Sequence, residues 1–506
     1  MSSNLFELFQ ERYATKLDKT FLEIPGGKSY SFGEIDDLSA RMAAKLLENG
    51  LKVGDRVVAQ VDKTPGAVAL YLAVLRSGGI FVPLNTAYTA TEVEYFLGDA
   101  KPSLFFCGLE NLADLSEIAQ AQGVSKTILL GNNETEAFWG EALQTDPKTE
   151  IAPRSDSDLA SFLYTSGTTG RSKGAMLSHE NLASNALTLH ELWQFEPEDV
   201  LLHALPIFHI HGLFVALHCA LLNASKVIFL PTFDVSEILR GMRGEASVLM
   251  GVPTFYSRLL ASPDFQSDDC KGMRLFISGS APMTEQVHKA WTNKTGHKIL
   301  ERYGMTEAGM ITSNPYEGER VPGTVGFALP GVEVRIADEH GKEVTQGDIG
   351  CIEVRGPNIF QGYWQMPEKT AEEFREDGYF ITGDLGIMDE NGRVSIVGRG
   401  KDLIISGGYN IYPKEIEVIL DEHPCVLESA VIGVPHSDFG EAVFAVVVPQ
   451  SGTEVSEEEL KEFLREKMAR FKQPKTIVLV EELPRNTMGK VQKNLLREQF
   501  ASHSSD

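Results

Sequence analysis

The chain has 506 residues, 42% of them hydrophobic and 23% charged, a globular composition with enough length to bury a large core without disulfide or metal staples. Its 46 basic and 71 acidic residues leave a net charge of −25. Such a field repels nucleic acid, and any anionic ligand must find a local positive site. The five cysteines, Cys107, Cys219, Cys270, Cys351 and Cys425, are scattered with no CxxC pair, as in a reducing compartment. Glu7 interrupts the amino terminus before an apolar run forms, so neither a secretory signal nor an Arg-rich transit segment is expected. The most apolar region, 201–230, is broken by His203, Pro206, His209, His211 and His218 and does not read as a membrane span. A cytoplasmic protein is expected.

In chain order, GGKS at 26–29 lacks the earlier glycine of a Walker loop and reads as a hairpin turn. The apolar stretch LASFL leads into YTSGTTGRSKG at 164–174. MRLFISGS (273–280) reads as a buried strand, TEQVHKAWTNKTG (284–296) as a helix closing on Gly296, and HKILERYG (297–304) as the next strand. That βαβ unit predicts that Ser278-Gly279-Ser280 and Tyr303-Gly304 meet at a crevice beyond the carboxyl ends of parallel strands. Between 318 and 398 short, glycine-punctuated strands predict a β-rich subdomain. From Arg399 onward the order is strand, helix, two strands, helix, strand and helix. The expected class is α/β: a large N-terminal domain, 1–398, with parallel-rich sheets and the β-rich subdomain, followed by a small α+β domain, 399–506.

The loop at 164–174 carries the most specific chemistry. Its three glycines let backbone amides approach an anion, its hydroxyls add donors, and Arg171 and Lys173 add charge, which suits a polyphosphate. His209 and His211 form an HxH with no clear carboxylate or cysteine partner, a pattern of pocket or core histidines rather than metal ligands. On local grounds alone, Asp384 in TGDLG reads as a turn aspartate and Lys490 in NTMGK as a surface lysine. Residues 470–497 hold seven basic side chains against two acidic ones, a cationic segment on an acidic chain.

The 164–174 string resembles the phosphate loop of the adenylate-forming enzymes, the acyl-CoA synthetase family. Six further motifs of that family follow in order: PIFHIHG (206–212), SGSAP (278–282), YGMTE (303–307), YFITGDLG (379–386), GRGKDLIISGGYNIYPKEIE (398–417) and PRNTMGKVQK (484–493). The resemblance spans essentially the whole chain and, through PIFHIHGLF, LFISGSAP, LERYGMTE and LPRNTMGKVQKN, is greatest to the malonyl-CoA synthetases. It implies an AMP-forming ligase that first transfers AMP from ATP to a carboxylate and then lets CoA expel the AMP.

Carried over position by position, the resemblance implies that Thr165, Ser166, Gly167, Thr168, Thr169, Gly170 and Lys173 hold phosphates, and that Thr165 and Glu307 help to hold Mg²⁺. Tyr303 would stack on adenine, lined by Gly279, Ser280 and Ala281, with Gly304 and Thr306 completing the nucleotide site; Asp384 would take the ribose hydroxyls, and Arg399 the ribose or phosphate end. Lys490 matches the lysine that bridges the acid and the α-phosphate, Ser406-Gly407-Gly408 the loop brought up for thioester formation, and Lys401 the hinge of a mobile small domain. Arg302 stands where many relatives that take apolar or aromatic acids have a small residue. A guanidinium there suits a second carboxylate, with His209 and Ser280 as further polar contacts, although a surface salt bridge at a strand end is the plain alternative. Malonate is the expected acid; methylmalonate, an aryl propenoate, or loading of a carrier protein are the alternatives.

Overall fold

The computed structural model describes residues 3–165, 172–406, 409–436, 439–465, 467–486 and 489–501. Two parallel-rich sheets form the large N-terminal part. In the nine-stranded sheet, Leu300–Met305, Leu275–Ser278, Val248–Gly251, Val200–His203, Lys226–Phe229 and Thr20–Glu23 run parallel as successive neighbours. In the six-stranded sheet, Lys126–Leu129, Leu104–Cys107, Arg56–Gln60, Ile80–Pro83 and Leu159–Thr165 are parallel, and Lys173–Ser178 closes an antiparallel hairpin on the last of them. The central strands are buried along their whole length, so they read as unbroken apolar runs rather than alternating ones.

The βαβ unit forms as its punctuation predicts. Thr284 accepts from the Val287 amide and starts the helix Glu285–Thr295, and Gly296, at φ 79°, ends it in the left-handed conformation that glycine enters freely. The GGKS turn joins Thr20–Glu23 to Ser29–Ser31 as an antiparallel pair. The β-rich segment is a four-stranded antiparallel sheet, Glu333–Ala337, Gly350–Arg355, Phe380–Met388 and Val394–Arg399.

The small C-terminal unit has a sheet of its own: Tyr409–Ile411, Ile404–Ser406, Gly440–Pro449 and Val426–His436, with Thr476–Leu479 parallel to Gly440–Pro449. Each face of that sheet has its own apolar layer. Ile416, Leu420, Leu460 and Leu464 pack on one, and Leu483, Leu496 and Phe500 on the other. No helix among the described residues is long and apolar enough to cross a membrane. Cys107, Cys219 and Cys270 are buried, whereas Cys351 in the antiparallel sheet and Cys425 in the small unit are half-buried; all are free thiols.

Candidate active site

The parallel register sets Ser278 opposite Glu301, which brings Gly279 beside Arg302. A Cβ at position 279 would lie 2.4 Å from the Arg302 Cζ, so the absence of a side chain makes room for the guanidinium. Arg302 is only 3% exposed, and its Nε and Nη2 have no hydrogen-bond partner among the described residues. Burial pushes its pKa down to about 9. A buried cation without a carboxylate is the costly state that an anionic ligand relieves. This differs from the surface salt bridge that a strand-end arginine would ordinarily make.

His209 and His211 face the same guanidinium. Burial, then Arg302, pushes His209 down to about 4, and the same causes hold His211 well below the usual histidine range. Both imidazoles are therefore neutral at physiological pH. His211 Nδ1 lies 3.2 Å from Ser280 Oγ, and the His211 amide donates to His209 Nδ1 at 3.2 Å. Ser280 sits at φ 68°, uncommon for a residue with a side chain, and turns its hydroxyl toward this corner. Ala281 follows, half-buried. Tyr256, on the helix Pro253–Ala261, anchors the neighbouring strand by donating from Oη to the Ile277 carbonyl at 2.6 Å.

The other end of the crevice is built from paired charges. Tyr303 Oη donates to Asp384 Oδ2 at 2.5 Å, and Arg399 Nε meets Asp384 Oδ1 at 2.7 Å across a strand pair that sets Asp384 opposite Arg399. Both Asp384 oxygens are thus engaged within the protein, so ribose hydroxyls would share their remaining lone pairs rather than find a free carboxylate. Gly304 packs against the returning strand, with a hypothetical Cβ 2.3 Å from the Gly309 carbonyl oxygen, and the half-buried Thr306 lies in the turn leading to Glu307.

Buried Glu307 accepts from Tyr363 Oη at 3.1 Å and from Thr165 Oγ1 at 3.4 Å; burial raises its pKa, and Lys173 and Arg399 oppose the shift. Lys173 Nζ lies 4.0 Å above the Tyr363 ring and 3.3 Å from Glu373. Thr165 and Lys173 pair across the hairpin whose loop carries Ser166, Gly167, Thr168, Thr169 and Gly170, which lie outside the described residues. No group of three or more His, Cys, Asp or Glu among the described residues could itself hold a metal ion. A hydroxyl beside one carboxylate nevertheless fits Mg²⁺, which takes one or two protein oxygens and completes its shell with phosphate and water.

Lys490 reaches this end from the small unit. Burial, then the nearby Arg399 charge, lowers its pKa to about 8, and Asp384 opposes the shift. Gly489, at φ 73°, brings the loop so close to the helix Pro253–Ala261 that a Cβ there would lie 3.0 Å from Thr254 Oγ1. The reading of a plain surface lysine is thereby corrected. So is the cationic segment 470–497: Lys472 meets Glu415 at 2.5 Å, Lys493 meets Glu417 and Arg497 meets Asp402 at the same distance, and Arg485 pairs with Glu428. Acids of 402–428, distant along the chain, lie against that segment in space and offset its charge. Ser406 ends the strand Ile404–Ser406 between the exposed Ile405 and Tyr409, while Gly407 and Gly408 lie outside the described residues. Lys401 is exposed in the short turn Gly400–Asp402, directly after Arg399.

Residues 9–364 match the family described as AMP-binding enzyme, and residues 415–490 match its C-terminal domain, so the chain belongs to the AMP-binding enzymes. Among curated relatives, the mouse protein named malonate–CoA ligase ACSF3, mitochondrial, is 38% identical over 93% of this chain and 87% of its own length. The malonate–CoA ligase of Arabidopsis thaliana is 35% identical over 98% of this chain and 89% of its own. Among solved structures, ATP-bound MatB from Rhodopseudomonas palustris is 52% identical over 100% of both chains, with a TM-score of 0.97. At the same identity and coverage, its apo form gives 0.85. The arrangement of the present chain is therefore nearer to the ATP-bound form.

Proposed function

We propose that this chain is a malonate–CoA ligase, converting malonate, ATP and CoA into malonyl-CoA, AMP and pyrophosphate through malonyl-adenylate. The observation that carries the choice of acid is Arg302, a desolvated guanidinium whose Nε and Nη2 are unpartnered among the described residues, flanked by neutral imidazoles. One carboxylate of malonate pairs with Arg302, with His209 and Ser280 beside it, and the other is left facing the nucleotide. A monocarboxylic acid leaves Arg302 unpaired, and that asymmetry supports discrimination of about 10⁴-fold.

In the first step a carboxylate oxygen bonds to the α-phosphorus, and the bond from that phosphorus to the bridging oxygen of pyrophosphate breaks. Charge develops on the α-phosphate and the leaving group, where fixed cations act most strongly. Lys490 and Arg399 stand beside Asp384 for this purpose, and the 164–174 loop with Lys173 receives the β- and γ-phosphates. Thr165 and Glu307 would hold Mg²⁺, which when bound shields the phosphate oxygens. Tyr303 offers its ring to adenine, between Gly304 and the Gly279–Ala281 turn. In the second step the CoA sulfur bonds to the acyl carbon, its proton is released, and AMP leaves. The small domain, 399–506, turns about Lys401 between the steps, withdrawing Lys490 and bringing up Ser406-Gly407-Gly408.

The test is ATP- and CoA-dependent pyrophosphate release with malonate, methylmalonate, succinate, acetate and 4-coumarate. Malonate is expected to be preferred, and a preference for acetate or 4-coumarate overturns the assignment.

A further inference from the structure

Lys63 lies between the strand Arg56–Gln60 and the helix Pro65–Arg76 of the six-stranded sheet, yet its ammonium is enclosed at the ends of two strands of the other sheet. Nζ donates to His203 Nδ1 at 2.8 Å, to the His203 carbonyl at 2.9 Å and to the Leu230 carbonyl at 2.6 Å, and sits 4.5 Å from the centre of the Phe229 ring. Three acceptors for three protons satisfy the ammonium without a carboxylate. Acceptance at Nδ1 leaves the His203 proton on Nε2, which donates to the Gly212 carbonyl at 2.9 Å.

Gly212 is where the chain folds back on itself. A Cβ there would lie 2.1 Å from the Pro206 carbonyl oxygen, and the π-helical turn His211–Leu217 starts at this point. Such turns are uncommon and need outside support. His211 leaves this turn for Ser280, and both His211 and His209 lie within the field of Arg302.

We propose that Lys63 and His203 are positioning residues for the acid pocket: together they hold the Gly212 carbonyl, and with it the turn that aims His211 and His209 at Arg302. This inference rests on the reading that Arg302 receives the second carboxylate of malonate. A purely architectural staple between the two sheets would instead affect stability alone.

The experiment compares full-length wild type, Lys63→Met, His203→Leu and His203→Gln by thermal unfolding and by pyrophosphate release with malonate and with acetate, measuring the KM for ATP in parallel. For Lys63→Met and His203→Leu, the KM for malonate is expected to rise roughly 10- to 100-fold while kcat and the KM for ATP stay within about threefold. The preference for malonate over acetate falls with it. His203→Gln keeps an acceptor and an N–H donor and recovers most of the loss. Folded variants with unchanged malonate KM and acid preference overturn the proposal, as does an equal rise in both KM values or a His203→Gln no better than His203→Leu. If Lys63→Met does not fold, the two His203 variants decide; if none folds, the role is architectural and the proposal fails. Wild type is assayed first, so failure to use malonate at all, which sinks the parent reading, is distinguishable from failure of this one.

Discussion

The two ends of the crevice handle charge in opposite ways. At the proposed nucleotide end Asp384 is tied to Tyr303 and Arg399, Glu307 to Tyr363 and Thr165, and Lys173 to Glu373. At the proposed acid end Arg302 is buried with no carboxylate partner among the described residues, and the histidines around it are neutral. A network of paired charges is pre-organised and lends itself to a ligand common to many reactions. An unpaired charge is selective, because only the ligand that completes it relieves the cost of burial. On the function proposed above, catalytic machinery and substrate choice are thus separated along one crevice.

Arg302→Met breaks the unpaired end most directly. The preference for malonate over acetate should collapse by about 10⁴-fold. Thermal unfolding should occur at the same or a higher temperature, because a buried unpaired charge has been removed. A lower unfolding temperature with selectivity intact would assign Arg302 to the scaffold. Lys490→Ala probes the opposite end: adenylate formation from ATP should fall by about 10³-fold, while thioester formation from preformed malonyl-adenylate is spared. Equal loss in the two half-reactions would show that Lys490 is not withdrawn between them.

Gly279→Ala leaves the charge in place and moves it. The new methyl displaces the guanidinium, and the KM for malonate should rise by about 10²-fold, more than the KM for ATP. The pH profile sharpens the comparison further. With its pKa held at about 8, Lys490 is protonated below that pH and loses its proton above it, so kcat/KM for adenylation should decline through pH 8 by about tenfold per unit. A decline that begins only near the pKa of an ordinary lysine would place Lys490 in open solvent. The smallest effect belongs to Lys472→Ala, which removes the pair with Glu415 and should shift stability by less than about 1 kcal/mol, with activity unchanged.

Much of this arrangement was legible in the chain. The strand, helix and strand at 273–304 carry their own punctuation, and parallel-sheet geometry predicts that Ser278-Gly279-Ser280 and Tyr303-Gly304 meet; the observed register adds Gly279 beside Arg302. Thr165, Glu307, Asp384 and Arg399 were marked by motif, and the structure brings them together at one end. Other features left no local mark. Tyr363, which holds Glu307, comes from a distant segment with no motif of its own. Lys63 and His203 are joined only by the packing of one sheet against the other. The charge balance of 470–497 was misleading for the same reason, since a count along the chain ignores acids that approach through space.

The two half-buried thiols, Cys351 and Cys425, stand on opposite sides of Arg399, one in the antiparallel sheet and the other in the small unit. The remaining cysteines are enclosed. The native chain thus supplies its own pair of thiols on either side of the proposed hinge, a built-in ruler for the rotation proposed above that needs no engineered residue.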